Sequence, residues 1–203
     1  KLKKAYIKYE PLGVAGVISP WNYPLITPIT AAVEALLSGN RVVLKPSEHT
    51  PLTSLLIKKL WDENIGFKDS FQIVIGGGDV GQMLVESKNI DVICFTGSTA
   101  VGKKIAAECA KTLKPHILEL GGKDPMIVLK DANINRSVES ALFGGLSNSG
   151  QTCISTEEVF IENSIYGEFT SKISKRIKNI KSGKDIASDL GSMIMPENTQ
   201  KVK

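Results

Sequence analysis

Three side chains in this sequence have the chemistry that acyl transfer needs: Cys153, Glu119 and Asn22. Cys153 closes the stretch LSNSGQTC (146–153), at the end of a segment with helical periodicity. Two readings stand for it. A free cysteine is most often a small buried hydrophobe. On a turn, with a base and an oxyanion site in reach, it is a nucleophile. Glu119 falls in HILELGG (116–122), a strand end that is otherwise apolar. Desolvation there would raise its pKa toward the range of a general base; a glutamate pointing outward is the plainer alternative. Asn22 lies between Trp21 and Tyr23 in a turn bracketed by Pro20 and Pro24. Its amide can stabilise an oxyanion or satisfy the backbone of the turn itself.

A second group of residues suits a phosphate or a sugar. The turn Gly97–Gly102 brings Ser98 and Thr99 to a helix start, where free N–H groups and a partial positive charge attract anions; an ordinary Ser cap is the alternative. Lys45 and Glu48, in KPSE (45–48), offer a cation and a carboxylate to ribose hydroxyls, or else form a surface ion pair. The run 76–81 matches G-x-G-x-x-G, but the next strand ends in Cys94-Phe95-Thr96-Gly97 without the carboxylate that a dinucleotide fingerprint requires. It reads as a tight strand-to-helix corner. Gly121-Gly122-Lys123 lacks both the upstream glycine and the following Ser or Thr of a P-loop.

The elements that must position these groups alternate. Apolar runs at Val14–Ile18, Arg41–Leu44, Phe71–Ile75, Asp91–Phe95 and His116–Leu120 read as strands. Helices are predicted after the first four, up to about Leu37, from Thr50, after Gly81 and up to about Leu113. In the first, Pro24 suits the opening turn, and Pro28 marks a kink or a later start. In the second, Leu52, Leu55, Leu56 and Leu60 form one apolar stripe. This alternation implies an α/β fold: a mostly parallel sheet covered on both faces, with ligands bound beyond the carboxyl ends of its strands. The turns at Trp21-Asn22, 45–48 and 97–102 should therefore open on one edge. After Gly122 a second unit begins, with strands at Pro125–Leu129 and Glu158–Ile161 and helices near 133–146 and 165–180. The division expected is 1–122 and 123–203. The tail from Leu190 shows no period.

Composition narrows the class. The 203 residues are 42% apolar with a net charge of +4, and the lysines fall mostly on polar helix positions, which argues for a solvated face over a nucleic-acid patch. Cys94, Cys109 and Cys153 are odd in number and lack metal-ligand spacing, so reduced thiols in an intracellular, cytoplasmic setting are expected, with no metal. The basic N-terminus KLKKAYIKYE has no apolar core after it, and no run is long enough to span a bilayer.

Five segments in order, PWNYP (20–24), KPSE (45–48), FTGSTAVG (95–102), LELGGKDP (118–125) and SNSGQTC (147–153), resemble the aldehyde dehydrogenase superfamily of NAD(P)-dependent enzymes. The resemblance runs from about Glu10 to the end of the chain. It implies a Rossmann-like cofactor domain followed by the first part of a catalytic domain. It implies that Cys153 attacks an aldehyde to form a thiohemiacetal and then a thioester, that the Asn22 amide and the Cys153 N–H hold the oxyanion, and that Glu119 activates the hydrolytic water. Trp21, Lys45, Ser47, Glu48, Gly97, Ser98, Gly102 and Leu120 match cofactor-binding positions. NAD is expected over NADP, because Glu48 would repel a 2′-phosphate. The expected partner is a small-molecule aldehyde, and the full-length family enzyme is expected to be a homo-oligomer.

Two departures from the family pattern stand out. An arginine usually follows the nucleophile by five residues, where this chain has Glu158; a carboxylate pointing inward there disfavours a thiolate. Family members are also usually more than twice as long. A partial chain is therefore expected, binding NAD weakly and turning over poorly by itself. The competing reading is a degenerate nucleotide-binding fragment without turnover. A CoA-acylating relative or a cysteine hydrolase is a third.

Overall fold

Alternate residues of the first strand, β1 (Val14–Ile18), face two different cores. Ala15 and Val17 pack on one side of the sheet and Ile18 on the other, so the strand is covered on both faces. A computed structural model of the protein describes residues 3–200; the first two residues of the basic N-terminal run and the last three of the aperiodic tail lie outside the described residues. Two compact units are present, Lys1–Leu120 and Gly121–Lys203.

In the first unit, β1 is followed by α1 (Ile26–Leu37), β2 (Arg41–Lys45), α2 (Pro51–Asn64), β3 (Phe71–Ile73), α3 (Gly78–Glu86), β4 (Val92–Gly97), α4 (Thr99–Ala110) and β5 (His116–Leu120). The five strands are parallel, in the order β3-β2-β1-β4-β5. One core joins Ala32 of α1 and the half-buried Ile57 and Trp61 of α2 to Val42, Leu44 and Phe71. The other joins Leu84 and Val85 of α3 and Ile105 and Cys109 of α4 to Ile93 and Phe95. The fold is α/β, a Rossmann-like parallel sheet with helices on both faces.

Two expectations about helices are corrected. Pro24 lies in the turn before α1 and outside the helix, which begins at Ile26; the later start expected of Pro28 is met, since Pro28 is the third residue, where its missing N–H has no intrahelical acceptor. The leucine stripe of α2 faces outward. Leu52 is 78% exposed, and Leu55, Leu56 and Leu60 are exposed too, while Ser54, Ile57 and Trp61, on the neighbouring stripe at i, i+3 and i+7, meet the sheet. The rings of Trp61 and Phe71 meet edge to face, with centroids 5.5 Å apart.

In the second unit, β6 (Asp124–Val128), α5 (Ile134–Leu146) and β7 (Thr156–Ile161) form a parallel βαβ crossover, followed by α6 (Tyr166–Ile177). Its core is Val128, Val138, Ala141, Leu142 and Phe169. Asn133 caps α5 by accepting from the Arg136 N–H at 3.0 Å. A bidentate Arg176–Glu139 pair, at 2.6 and 2.9 Å, ties α6 to α5.

Candidate functional site

Beyond the carboxyl ends of β1, β2 and β4 the first unit opens into a cleft of about 550 Å³. From β1 the chain steps outward through β2 to β3, then returns to place β4 on the other side of β1. The crevice at such a reversal is where open parallel sheets hold ligands. Ser19 and Trp21 enter the cleft from β1, Lys45, Ser47 and Glu48 from β2, and Gly97 and Ser98 from β4. The three turns expected to share one edge do so.

Each side chain has a local cause for its place. Ser98 is the N-cap of α4 and accepts from the Val101 N–H at 3.4 Å, so it is both the ordinary cap and a lining residue. Lys45 and Glu48 do form an ion pair, but the lysine is not on the surface: its side chain is 5% exposed, and its ammonium also donates to the carbonyls of Gly76 at 2.7 Å and Pro46 at 3.0 Å. The Glu48 carboxylate lies 3.6 Å from that ammonium and is half exposed. The Ser19 hydroxyl is buried without a hydrogen-bond partner among the described residues. Gly102 and Leu120 do not line the cleft. They pack behind it, where a Cβ on residue 102 would lie 2.6 Å from Leu120 Cδ2.

Asn22 is half-buried in the turn after β1, and its side-chain oxygen accepts from the Tyr23 N–H at 3.1 Å, so it satisfies the turn's own backbone. Glu119 departs from expectation. It is exposed, because β5 is the edge strand of this sheet, so the desolvated surroundings expected of it are absent here.

In the second unit Cys153 is exposed in the turn before β7, whereas Cys109 is buried and Cys94 half-buried. The buried-hydrophobe reading therefore fails for Cys153. Burial raises the thiol pKa of Cys94, with Glu34 adding to it; burial also raises that of Cys109, against the nearby Lys114. The loop leading to Cys153 is built from a left-handed run, Asn148 (φ 52°), Ser149 (φ 58°) and Gly150 (φ 75°). It is pinned from several sides. Gln151 Nε2 donates to the Asn148 carbonyl at 2.9 Å, Ser149 Oγ to the Gly191 carbonyl at 2.9 Å, and buried Ser155 Oγ to the Gly144 carbonyl at 3.1 Å. Glu158, in register with Pro125, is exposed on β7; its neighbour Glu157 pairs with Lys123 at 2.8 Å.

Sequence reasoning missed part of the cleft. Gly78, Gly81 and Gln82 on α3 and Val101, Lys104 and Ile105 on α4 form two of its walls. The signal for the first wall was the glycine run 76–81, read only as a corner; Gly78 and Gly81 line the cleft there beside Gln82. Ser19 had no signal beyond its place after a strand. Among the described residues no group of three or more His, Cys, Asp or Glu is arranged to hold a metal, and no helix is long and apolar enough to cross a membrane.

The sheet order and the position of the cleft define a Rossmann-like α/β protein. The model of the aldehyde dehydrogenase family matches residues 1–203, and the chain belongs to that family. It is 41% identical over 195 residues to the D-glyceraldehyde dehydrogenase (NADP(+)) of Picrophilus torridus, covering 95% of this chain and 39% of that one. It is 40% identical over 197 residues to the betaine aldehyde dehydrogenase of Bacillus subtilis, covering 96% and 40%. The crystal structure of betaine aldehyde dehydrogenase from Staphylococcus aureus in complex with NAD+ superposes with a TM-score of 0.91 at 37% identity, over 95% of this chain and 39% of that one. The chain thus spans about two fifths of the length of these relatives.

Proposed function

We propose that this chain serves the NAD(P)-dependent oxidation of an aldehyde to a carboxylic acid, with Lys1–Leu120 as the cofactor domain and Gly121–Lys203 as the start of the catalytic domain. The observation that supports this best is the switch-point cleft lined by Trp21, Lys45, Ser47, Glu48, Gly97 and Ser98. A nicotinamide dinucleotide fits the residues present. The cleft is of ligand size, the α4 N-terminus suits a pyrophosphate, Glu48 suits ribose hydroxyls, and the unpartnered Ser19 hydroxyl is a polar group in want of a bond.

In this reading Cys153 adds as a thiolate to the aldehyde carbon, forming a C–S bond and placing charge on the oxygen. The Asn22 amide and the Cys153 N–H hold that oxyanion. A bound nicotinamide would supply the acceptor for the hydride leaving this carbon, so that Cys153 is left holding a thioester. Glu119, open to solvent on β5, takes a proton from the water that attacks the thioester. The C–S bond breaks, the acid departs and the thiolate is restored. Glu48 disfavours a 2′-phosphate by charge repulsion, which supports NAD over NADP.

Trp21 lines the cleft and so reports on binding by its fluorescence. Saturable quenching by NAD is expected. In a chain completed to the length of its relatives, aldehyde-dependent NADH formation is expected, abolished by Cys153→Ala with NAD binding retained. Absence of NAD binding overturns the reading.

A further inference from the structure

The last backbone bond holding the β3 segment to the sheet is from the Val74 N–H to the Leu44 carbonyl, at 2.9 Å. Past it come Gly76 and Gly77, and then Gly78 as the first residue of α3, which walls the cleft; glycine has the largest conformational freedom a chain can have. The Lys45 ammonium reaches across to the Gly76 carbonyl at 2.7 Å while also donating to its neighbouring Pro46 carbonyl at 3.0 Å. Its stem runs beneath Gly81, where a Cβ would lie 3.4 Å from Lys45 Cε. A buried ammonium is tolerable only when its donors are satisfied. Here the two carbonyls and the Glu48 carboxylate, 3.6 Å away, occupy it.

We infer that Lys45 is a positioning residue: it fixes the glycine turn 76–78, and through it the α3 wall of the cleft, before any ligand arrives. Direct contact with a ribose is then the smaller part of its effect on the dinucleotide. The affinity consequence rests on the cofactor reading of the cleft; the ordering of the turn does not.

The test is amide hydrogen exchange on the ligand-free protein. In Lys45→Met, amides 81–84, the first in α3 with intrahelical acceptors, are expected to exchange at least about tenfold faster, as loss of a hydrogen bond from a charged donor implies. Those of β1 and β4 should keep their protection. Lys45→Gln, too short to span to Gly76, should behave alike, which preserves the test should one variant fail to fold. Lys45→Arg keeps the donors and should retain protection, as should Glu48→Gln. NAD affinity should fall about tenfold in Lys45→Met and recover in part with Gly78→Ala, where an added Cβ meets nothing within 4 Å and stiffens the turn. Unchanged exchange at 81–84 in the ligand-free variants overturns the inference, and so does a rise spread evenly over the whole unit. If the parent protein does not bind NAD, the cofactor reading falls while the exchange result still decides the role of Lys45.

Discussion

The ring of Phe95 lies against the α-carbon of Gly97 so closely that a Cβ at position 97 would stand 2.5 Å from Phe95 Cζ. Phe95 is buried in the core beneath α3 and α4, and Gly97 lines the cleft, so the core and the site meet at this pair. Gly97→Ala must move an aromatic ring with little room to go. The expected cost is about 1–3 kcal/mol of stability, the usual range for overpacking. Urea denaturation of the two proteins checks it; equal midpoints would mean that the ring yields freely.

The three thiols should separate by rate. Cys153 is exposed, while burial raises the pKa of Cys94 and Cys109 and leaves them less thiolate at any given pH. Iodoacetamide near neutral pH should therefore modify one equivalent rapidly, and Cys153→Ser should remove that phase, as read by intact mass. A raised folded-state pKa also means that the unfolded chain loses its thiol protons first as pH climbs. Stability from Cys94 and Cys109 is thus present below the ordinary thiol range and declines as pH passes above it. Cys109→Ala should flatten that alkaline decline.

At the acid end the sign reverses. The Arg176 guanidinium bonded to Glu139 holds that carboxyl below the usual carboxylate range. Its contribution is present above the ordinary glutamate pKa and disappears as pH falls through the lowered one. Glu139→Gln should remove this part of the acid dependence, with a small effect at neutral pH because the pair is exposed.

Cofactor choice should respond to Glu48. Its half-exposed carboxylate borders the cleft, so Glu48→Gln should shift the ratio of NAD to NADP affinity toward NADP by about tenfold, ~1.4 kcal/mol. Equal affinity for both cofactors in the parent protein would show that Glu48 does not discriminate.

Glu158→Arg tests the reversed charge five residues after Cys153. The exposed position of Glu158 allows the substitution without a packing cost. A guanidinium in place of the carboxylate should favour the thiolate, and alkylation of Cys153 should become severalfold faster at low salt, with the difference shrinking as salt is added. An unchanged rate would mean that the two residues are electrostatically independent.

Much of the first unit was legible because its signals are local. Val14–Ile18 and His116–Leu120 are strands over the ranges expected, and the glycine- and proline-bearing turns mark where the chain leaves the sheet. Burial was less legible. Periodicity in α2 offers two apolar stripes, and nothing local says that the one with Ser54 and Trp61 meets the sheet while the leucines face outward. Glu119 failed for a related reason: its apolar neighbours suggested a covered strand, yet burial depends on strand order, and β5 is an edge. The site showed the same limit. Trp21, Lys45, Glu48 and Ser98 were readable as strand-end residues, but the α3 and α4 walls exist only once the sheet is assembled.

The left-handed run at Asn148, Ser149 and Gly150 also restricts how this loop can vary. Glycine and asparagine visit that conformation readily, whereas each β-branched residue there costs about 1–2 kcal/mol. A library randomised at 148 and 149 and sorted for folded protein should return glycine, asparagine and aspartate, with valine and isoleucine depleted. The segment just before the cysteine would then be held to a short alphabet by backbone geometry alone, whether or not the cysteine ever meets a substrate.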